Sequence, residues 1–565
     1  MSQMSQYKYV KDKFETMKTE RSNFDVMYQV LGEYISLIKQ NFQGQPAKGE
    51  FLTDRIYDAT AVFAAQNAAS SILGLLWPGT AKQAIELIKP DDMDESTDLD
   101  KFYEDLTNIT VRAMDDPKAN LVLALDEYML DQLIFGTSGV GVEKGARSKL
   151  FYKSHGVKVV YLDEGQDGIV DTIALFYEWE PHRVVAEYGE NNVSEKTRKA
   201  AASNSKEPVQ ILIMIQPRKE KKAQLGKLSM TYESIHLEYS TCSLLREEGF
   251  HELPIAMTRF KKVTYEKQGR SLGMNAIADI KEANILRESY IVAVEKNNDM
   301  PLGVMDDGIL GGGYIDTSAR AVNVFNASAN IGNSPPVFEI GTKTDLSYLE
   351  ARLQKLEETI AKHFGLDRLL DFNNDTQMTF GEAQIREQIR MSSLIGLFAR
   401  QLNELFTPLV ERTVNILWRM GEFGVIKGSI EEEERIEQGL PVTYLPDAIQ
   451  DRLKKGEEVY NINYKTKAAN ASKAEEYIAI IDVMTFASQA ITFDPSIMHR
   501  IDLHEAIKKL GNIRALPAGI IRADDKVEEL MQQEQERMQQ QQELASAQQM
   551  AETYQSAAKG DSLLK

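Results

Sequence analysis

Residues 135–143, FGTSGVGVE, come nearest to a phosphate-binding loop, because Gly136 and Gly141 are separated as the two glycines of such a loop are. That chemistry also needs a lysine to reach the phosphates and a Ser or Thr hydroxyl to hold Mg²⁺. Here those two positions are Val142 and Glu143, and a helix precedes the segment while a strand follows it, which is the wrong order. The segment reads as a tight helix-to-strand turn. His251-Glu252 opens a zinc-protease pattern, yet position 255 is Ile and Pro254 would interrupt the helix that motif requires. His155, His182, His236, His251, His363, His499 and His504 include no helical i, i+4 pair and read as core-edge or surface histidines. The acidic run 91–100 lacks the central glycine and closing glutamate of a calcium loop and reads as a solvated linker. Cys242 has no activating neighbour in sequence. No nucleophile stands beside a base, so the chain reads as a non-enzyme with no cofactor and no metal.

Composition narrows the field further. The 565 residues hold 65 Lys plus Arg against 85 Asp plus Glu, a net charge of −20. Static DNA binding draws on Lys and Arg to neutralise phosphates, and this chain has no long basic stretch for it. Its nearest basic run, RKEKK at 218–222, reads as a solvated hairpin loop. One cysteine excludes a disulfide framework and fits a reducing cytoplasm. The longest apolar runs, 70–77, 211–215 and 478–487, fall short of the roughly 18 to 20 residues that span a bilayer. The first residues show no apolar signal core. A soluble protein without a membrane partner is expected.

The elements that would position any site follow from periodicity. A helix is predicted from Gln6 to about Phe42, with Tyr28, Leu31, Tyr34, Ile35 and Ile38 on one stripe. An alanine-rich helix follows from about Thr53 and stops at Trp77-Pro78-Gly79, and another covers about 119–134. From 136 to 265 the period falls to two, giving strands near 157–162, 170–179, 209–215, 228–239 and 254–260. Over 271–296, Ile277, Ile280, Ala283, Leu286, Tyr290 and Val294 line one helical face. A Gly- and turn-rich insert over 300–341 separates it from a helix capped by Thr344 or Asp345, with the stripe Leu346, Leu349, Leu353, Leu356, Ile360 and Phe364 and a stop at Gly365. A polar loop leads to a capping box at Thr379 and Glu382, which opens a helix that Pro408 must kink or break near Thr407. Helices resume from Ala471, and 525–560 is Gln-rich. The fold class expected is α+β, mostly helical.

Several segments, in their order, resemble the portal protein, or head-to-tail connector, of short-tailed bacteriophages (podoviruses). They are RIYDATAVFAAQNAASSILGLLWPG at 55–79, DQLIFGTSGVGVE at 131–143, DGIVDTIALFYEWEPHRV at 167–184, GFHELPIAMTRF at 249–260, GRSLGMNAIADIKEAN at 269–284 and MTFGEAQIREQ at 378–388. Gln268 stands where that family often has Tyr before the Gly-Arg-Ser step, a minor change at a turn. The last hundred residues match only in type.

The resemblance implies a ring subunit, usually one of a dodecamer, at one capsid vertex of the virion. Double-stranded DNA would pass through its channel in packaging and ejection. Partners implied are further copies of the chain, the terminase large subunit as motor, major capsid and scaffolding proteins, and tail adaptors, with synthesis in the host cytoplasm. It also implies a β-rich wing over 1–270, stem helices at 271–296 and 344–365 around a clip at 297–343, and a channel loop at 366–377. A long kinked wing helix and connecting region at 378–470, a helical crown at 471–525 and a Gln-rich tail at 526–565, barrel-like or disordered, complete it. Within this scheme Arg368, Asn373 and Asn374 would approach DNA transiently, and Ile277, Ile280, Leu286, Tyr290, Leu346, Leu349, Leu353, Leu356 and Ile360 would pack the stem. A packaging motor would need the phosphate loop that is absent here. An internal scaffold or ejection protein would account for the acidic, helical composition, but not for two capped helices around a Gly-rich insert.

Overall fold

Apolar residues at Val10, Phe14 and Met17, and again at Tyr28, Leu31 and Ile35, give the first helix two buried halves that face different partners. The computed structural model describes residues 7–36, 56–90, 97–220, 226–306, 316–326, 337–340, 345–366, 399–427, 442–466 and 474–490, with a few isolated positions besides. This helix is α1 (Lys8–Tyr34), followed by α2 (Thr60–Leu76), β1 (Ile85–Ile88), α3 (Thr97–Met114) and α4 (Leu121–Phe135). Strands β2 (Thr137–Lys144), β3 (Leu150–Gly156), β4 (Val160–Glu164) and β5 (Val170–Trp179) precede the short helices α5 (Pro181–Tyr188) and α6 (Glu195–Ala202). Next come β6 (Val209–Pro217), β7 (Tyr232–Glu238), β8 (Ser243–Phe250), β9 (Ile255–Arg259) and α7 (Leu272–Asn298). The rest is β10 (Leu302–Asp306), β11 (Val322–Asn326), β12 (Val337–Glu339), α8 (Leu346–His363), α9 (Thr407–Arg419), α10 (Asp447–Lys455), β13 (Asn461–Tyr464) and α11 (Ala474–Ala490). The chain divides into two compact units, Met1–Ala471 and Ser472–Lys565, and α11 belongs to the second. The fold is mixed α+β.

In the first unit, strands β4 to β8 form a five-stranded antiparallel sheet in sequence order. One face, with Ala174, Leu212, Met214, Ile235 and Leu237, packs against Tyr7, which precedes α1, and Val10, Phe14 and Met17 within it. The other buries Ile173, Leu175, Ile211, Ile213 and Ile215 with Val184 and Tyr188 of α5. Burial on both faces is why β6 reads as an unbroken apolar run rather than an alternation. A second sheet, β3-β2-β9, is antiparallel throughout. The main core gathers around α4, whose Leu121, Leu125, Tyr128, Leu133 and Phe135 are buried with residues of α2, α7 and α9. Late in the chain, β13 returns to pair antiparallel with β1.

Several expectations need correction. The alanine-rich helix starts at Thr60, not near Thr53, where the Asp58 carboxylate accepts the Thr60 N–H at 2.8 Å. The acidic run is not wholly a linker: from Thr97 it is the first turn of α3, where Asp98 and Asp100 sit at the positive end of the helix macrodipole. Two short helices interrupt the strand region, α5 begun by Pro181 and α6 capped by Ser194, whose hydroxyl accepts the Thr197 N–H at 3.2 Å. Arg218 is no solvated loop residue, since its side chain is 1% exposed beside Glu247 at 3.2 Å and Glu233 at 3.7 Å. Pro408 sits in the first turn of α9, directly after a π-helical turn at Leu402–Phe406. Proline has no N–H for the carbonyl one turn back, and the wider turn absorbs that break. Outside the described residues lie Arg368, Asn373 and Asn374, the capping box at Thr379 and Glu382, the glycines at 311–313, Pro335-Pro336 and most of 491–565.

Candidate functional site

The most organised feature is a helix pair joined by its own sheet. α7 begins where the Ser271 hydroxyl accepts the Met274 N–H at 2.9 Å and donates to the Ile134 carbonyl at 2.8 Å, fixing its start to the end of α4. Ala276, Ile280 and Ala283 bury the first half of α7, and Asn284 Oδ1 accepts the backbone N–H groups of Tyr57 and Asp58 at 2.7 and 3.2 Å. Beyond that anchor Ile285, Ile291 and Val292 are exposed. α8 starts at Asp345, whose carboxylate accepts the Ser347 N–H at 3.0 Å, and ends at Gly365 in the left-handed region with φ 71°.

Polar pairs tie the two helices together. Arg287 reaches Glu357 and Arg352 reaches Glu282, both at 2.5 Å; His363 Nε2 meets Asp279 at 2.8 Å, and the Tyr290 hydroxyl donates to Glu350 at 3.1 Å. Arg287 also lies 3.6 Å from the buried Asp58, which joins the pair to the start of α2. Of the residues singled out for packing, Ile280, Leu353, Leu356 and Ile360 are buried, while Ile277, Leu286, Tyr290, Leu346 and Leu349 are half-buried. The segment between the helices forms the sheet β11-β10-β12, parallel between β10 and β11 and antiparallel between β10 and β12. Its Asn323 is buried, with its side-chain amide bonded to the Asp316 backbone N–H at 2.6 Å and carbonyl at 2.7 Å.

Two segments with motif-like spacing are built into the packing. Glu252 pairs with Arg412 at 3.2 Å and Arg419 at 2.7 Å. The supposed phosphate loop is strand β2, preceded by Gly136 alone in the left-handed region. Among the described residues no group of three His, Cys, Asp or Glu could hold a metal ion, and no helix is long and apolar enough to cross a membrane. One relay was not anticipated: His236 lies between Ser234 Oγ at 3.1 Å and the Tyr188 hydroxyl at 2.9 Å. Ser234 and His236 are two apart on one strand face, a spacing common to every strand and therefore silent in sequence. Burial, with Arg246 nearby, pushes the His236 pKa down to about 4, so the ring is a weak base at neutral pH.

His155 is lowered to about 4 as well, by burial and then by Lys153. Both folded values lie below that of an unfolded histidine, so the unfolded chain takes up protons first. Stability is fully present above about pH 6.5 and falls as the pH drops toward 4, by about 2 kcal/mol per histidine at pH 5. Urea midpoints at pH 7 and pH 5 measure this, and His236→Gln is expected to flatten the slope. An unchanged slope in that variant contradicts the assignment.

Comparison with known proteins then bears on the whole chain. A family model described as bacteriophage head to tail connecting protein matches residues 8–521. The chain is 21% identical over 533 residues to the portal protein of Salmonella phage epsilon15, covering 91% of this chain and 88% of that protein. It is 22% identical over 447 residues to the probable portal protein of Bordetella phage BPP-1, covering 77% and 78%. A chain from the virion of a native gene transfer agent particle aligns over 73% of this chain and 100% of its own length, at 12% identity and a TM-score of 0.28. Because the family match takes in the helix pair, the sheet between its helices and the β-rich region before them, the chain belongs to the bacteriophage head to tail connecting protein family.

Proposed function

We propose that the chain is a portal subunit, a structural protein rather than an enzyme, whose copies close into a dodecameric ring at one capsid vertex of the virion. Double-stranded DNA passes through the ring in packaging and in ejection. The observation that carries this reading is the family match over residues 8–521, running through a helix pair that brackets its own small sheet. In this reading 271–296 and 344–365 are the stem, 297–343 the clip facing motor and tail, 1–270 the wing with the helix of 378–470, 366–377 the channel loop, 471–525 the crown and 526–565 its tail. Partners are the terminase large subunit, major capsid and scaffolding proteins, and tail adaptors. The chain is made in the host cytoplasm.

The charge fits a conduit. A ring that DNA slides through must not hold it, and a net charge of −20 per subunit disfavours the phosphate neutralisation on which tight binding depends. Heads assembled without this chain are expected to contain no genome, measured as DNA per purified particle; filled heads in its absence contradict the reading. Joint alanine substitution of Arg368, Asn373 and Asn374 is expected to reduce packaged or retained DNA, and unchanged DNA content removes those residues from the channel.

A further inference from the structure

One surface side chain is held in a strained position that no contact within the subunit offsets. Tyr265 is fully exposed, and its φ of 68° lies in the left-handed region. It belongs to the loop 261–270 between β9 and α7, whose base is closed by the Arg270 N–H donating to the Lys261 carbonyl at 2.8 Å. The Glu266 N–H donates to the Val263 carbonyl at 3.1 Å, which makes Tyr265 the third residue of a tight turn, a place that suits Gly or Asn. The loop is fastened on both sides. Lys262 meets Glu164 at 2.7 Å and the Gly168 carbonyl at 2.9 Å, and Lys267 meets Asp163 at 2.7 Å and Glu20 at 2.6 Å. Arg270 holds Glu266 at 2.8 Å. Tyr265, with the exposed Val263 beside it, therefore projects from a fixed base.

The counterpart is a cavity. The face of the five-stranded sheet turned away from α1 leaves a space of about 750 Å³ against the β3-β2-β9 sheet and α9. Leu175, Ile213 and Ile215 form its apolar floor, and Tyr177, Trp179 and Tyr188 an aromatic wall. His155 lines the same space, and its Nδ1 has no hydrogen-bond partner among the described residues. Burial keeps that imidazole neutral at pH 7, so it can accept from a hydroxyl. By the strand register Glu143 and Lys153 share the cavity face, and among the described residues neither makes an ion pair. With one charge of each sign at the mouth, the recess itself and not its charge names the occupant.

Tyr265 does not reach the cavity of its own subunit. Lys262 fastens the loop at Gly168, just before β5, and from Val170 at that end to Tyr177 at the cavity the strand runs about 23 Å, at ~3.3 Å per residue. We propose that Tyr265 of one subunit enters this cavity in a second copy, its ring against the aromatic wall and its hydroxyl donating to the His155 imidazole. The inference rests on the ring of the proposed function and names one contact that holds it together. Anchor and cavity are different surfaces of the chain, so each copy offers one of each and the contact repeats head to tail until the ring closes. A buried tyrosine is a common centre of interface affinity, the volume suits it, and its burial offsets the left-handed strain.

The test places the photoreactive p-benzoylphenylalanine at position 265 of the purified full-length protein. Cross-links between copies are expected, seen as covalent multimers on a denaturing gel and mapped by mass spectrometry to β2, β3 or β5. Tyr265→Asn, which suits the turn, is expected to keep the far-ultraviolet spectrum and to raise the concentration for half-assembly about tenfold or more. Two results overturn this contact and leave the ring standing: an assembled ring whose links from position 265 fall elsewhere or are missing, and assembly of Tyr265→Asn at the wild-type concentration. Links to a different protein in purified heads likewise overturn it and make that protein the partner. A wild-type chain that does not self-associate at any concentration overturns both the contact and the ring.

Discussion

Gly136→Ala is expected to cost about 4 kcal/mol or more, enough to remove most soluble folded protein from a marginally stable domain. Gly136 ends α4 with φ 84°, and a Cβ there would lie 2.4 Å from the Gly269 carbonyl oxygen and 2.8 Å from the Arg270 carbonyl carbon. Neither obstacle can swing aside, because both are backbone. The crossing is pinned by the Phe260 N–H to the Gly136 carbonyl at 2.8 Å, the Gly269 N–H to Thr137 Oγ1 at 2.8 Å and the Arg270 N–H to the Lys261 carbonyl at 2.8 Å. Gly365→Ala is the matched control, with φ +71° and open space around its Cβ, and is expected to cost only about 1 to 2 kcal/mol of left-handed strain. Equal urea midpoints for the two variants would mean that the crossing at Gly136 is not close.

Arg259→Met is expected to destabilise the protein by about 3 kcal/mol, the low end for breaking a buried ion pair by removing one partner. The Arg259 side chain is 1% exposed and pairs with Glu164 and, at 3.2 Å, with Glu404, while also donating to the Gly168 carbonyl at 3.0 Å. Its backbone N–H meets the other Glu404 oxygen at 3.2 Å, so one residue joins β9 to the π-helical turn before α9. The cost stays at the low end because Lys262 still meets Glu164 at 2.7 Å and Arg400 still meets Glu404 at 2.9 Å. Lys262→Met, at a more exposed position, is expected to cost under about 1 kcal/mol. Urea denaturation of the three proteins decides it; an Arg259→Met midpoint that coincides with that of Lys262→Met contradicts the account.

The helix pair was legible because its signals are local. Spacing of three and four predicts 271–296, and the same spacing with a Thr or Asp cap and a glycine stop predicts a helix from about 345 to Gly365; the structure has helices at Leu272–Asn298 and Leu346–His363. Local signals for α5 and α6 were present too, Pro181 and Ser194, but a run of strand-like patterns on either side outweighed them. In α3 the acidic start hid a stripe of Leu99, Tyr103 and Leu106. β8 reads as charged because it is a sheet edge, and Arg246, Glu247 and Glu248 suit an edge strand.

Other features are not local at all. Gly136 shows the spacing of a phosphate loop, yet the contact that requires a glycine comes from Gly269, more than a hundred residues away. Arg21, Arg218, Arg259 and Arg412 look like surface charges until the fold buries them against distant carbonyls and carboxylates. The cavity between the sheets likewise arises from how two sheets splay, which no periodicity encodes.

In the proposed function, copies of this subunit close into a channel. The purified full-length protein, weighed in its assembled state and imaged by negative stain from the same fraction, tests it most directly. The account predicts a closed dodecameric ring with a central hole. A stable monomer or a small open oligomer across a range of salt concentrations contradicts it.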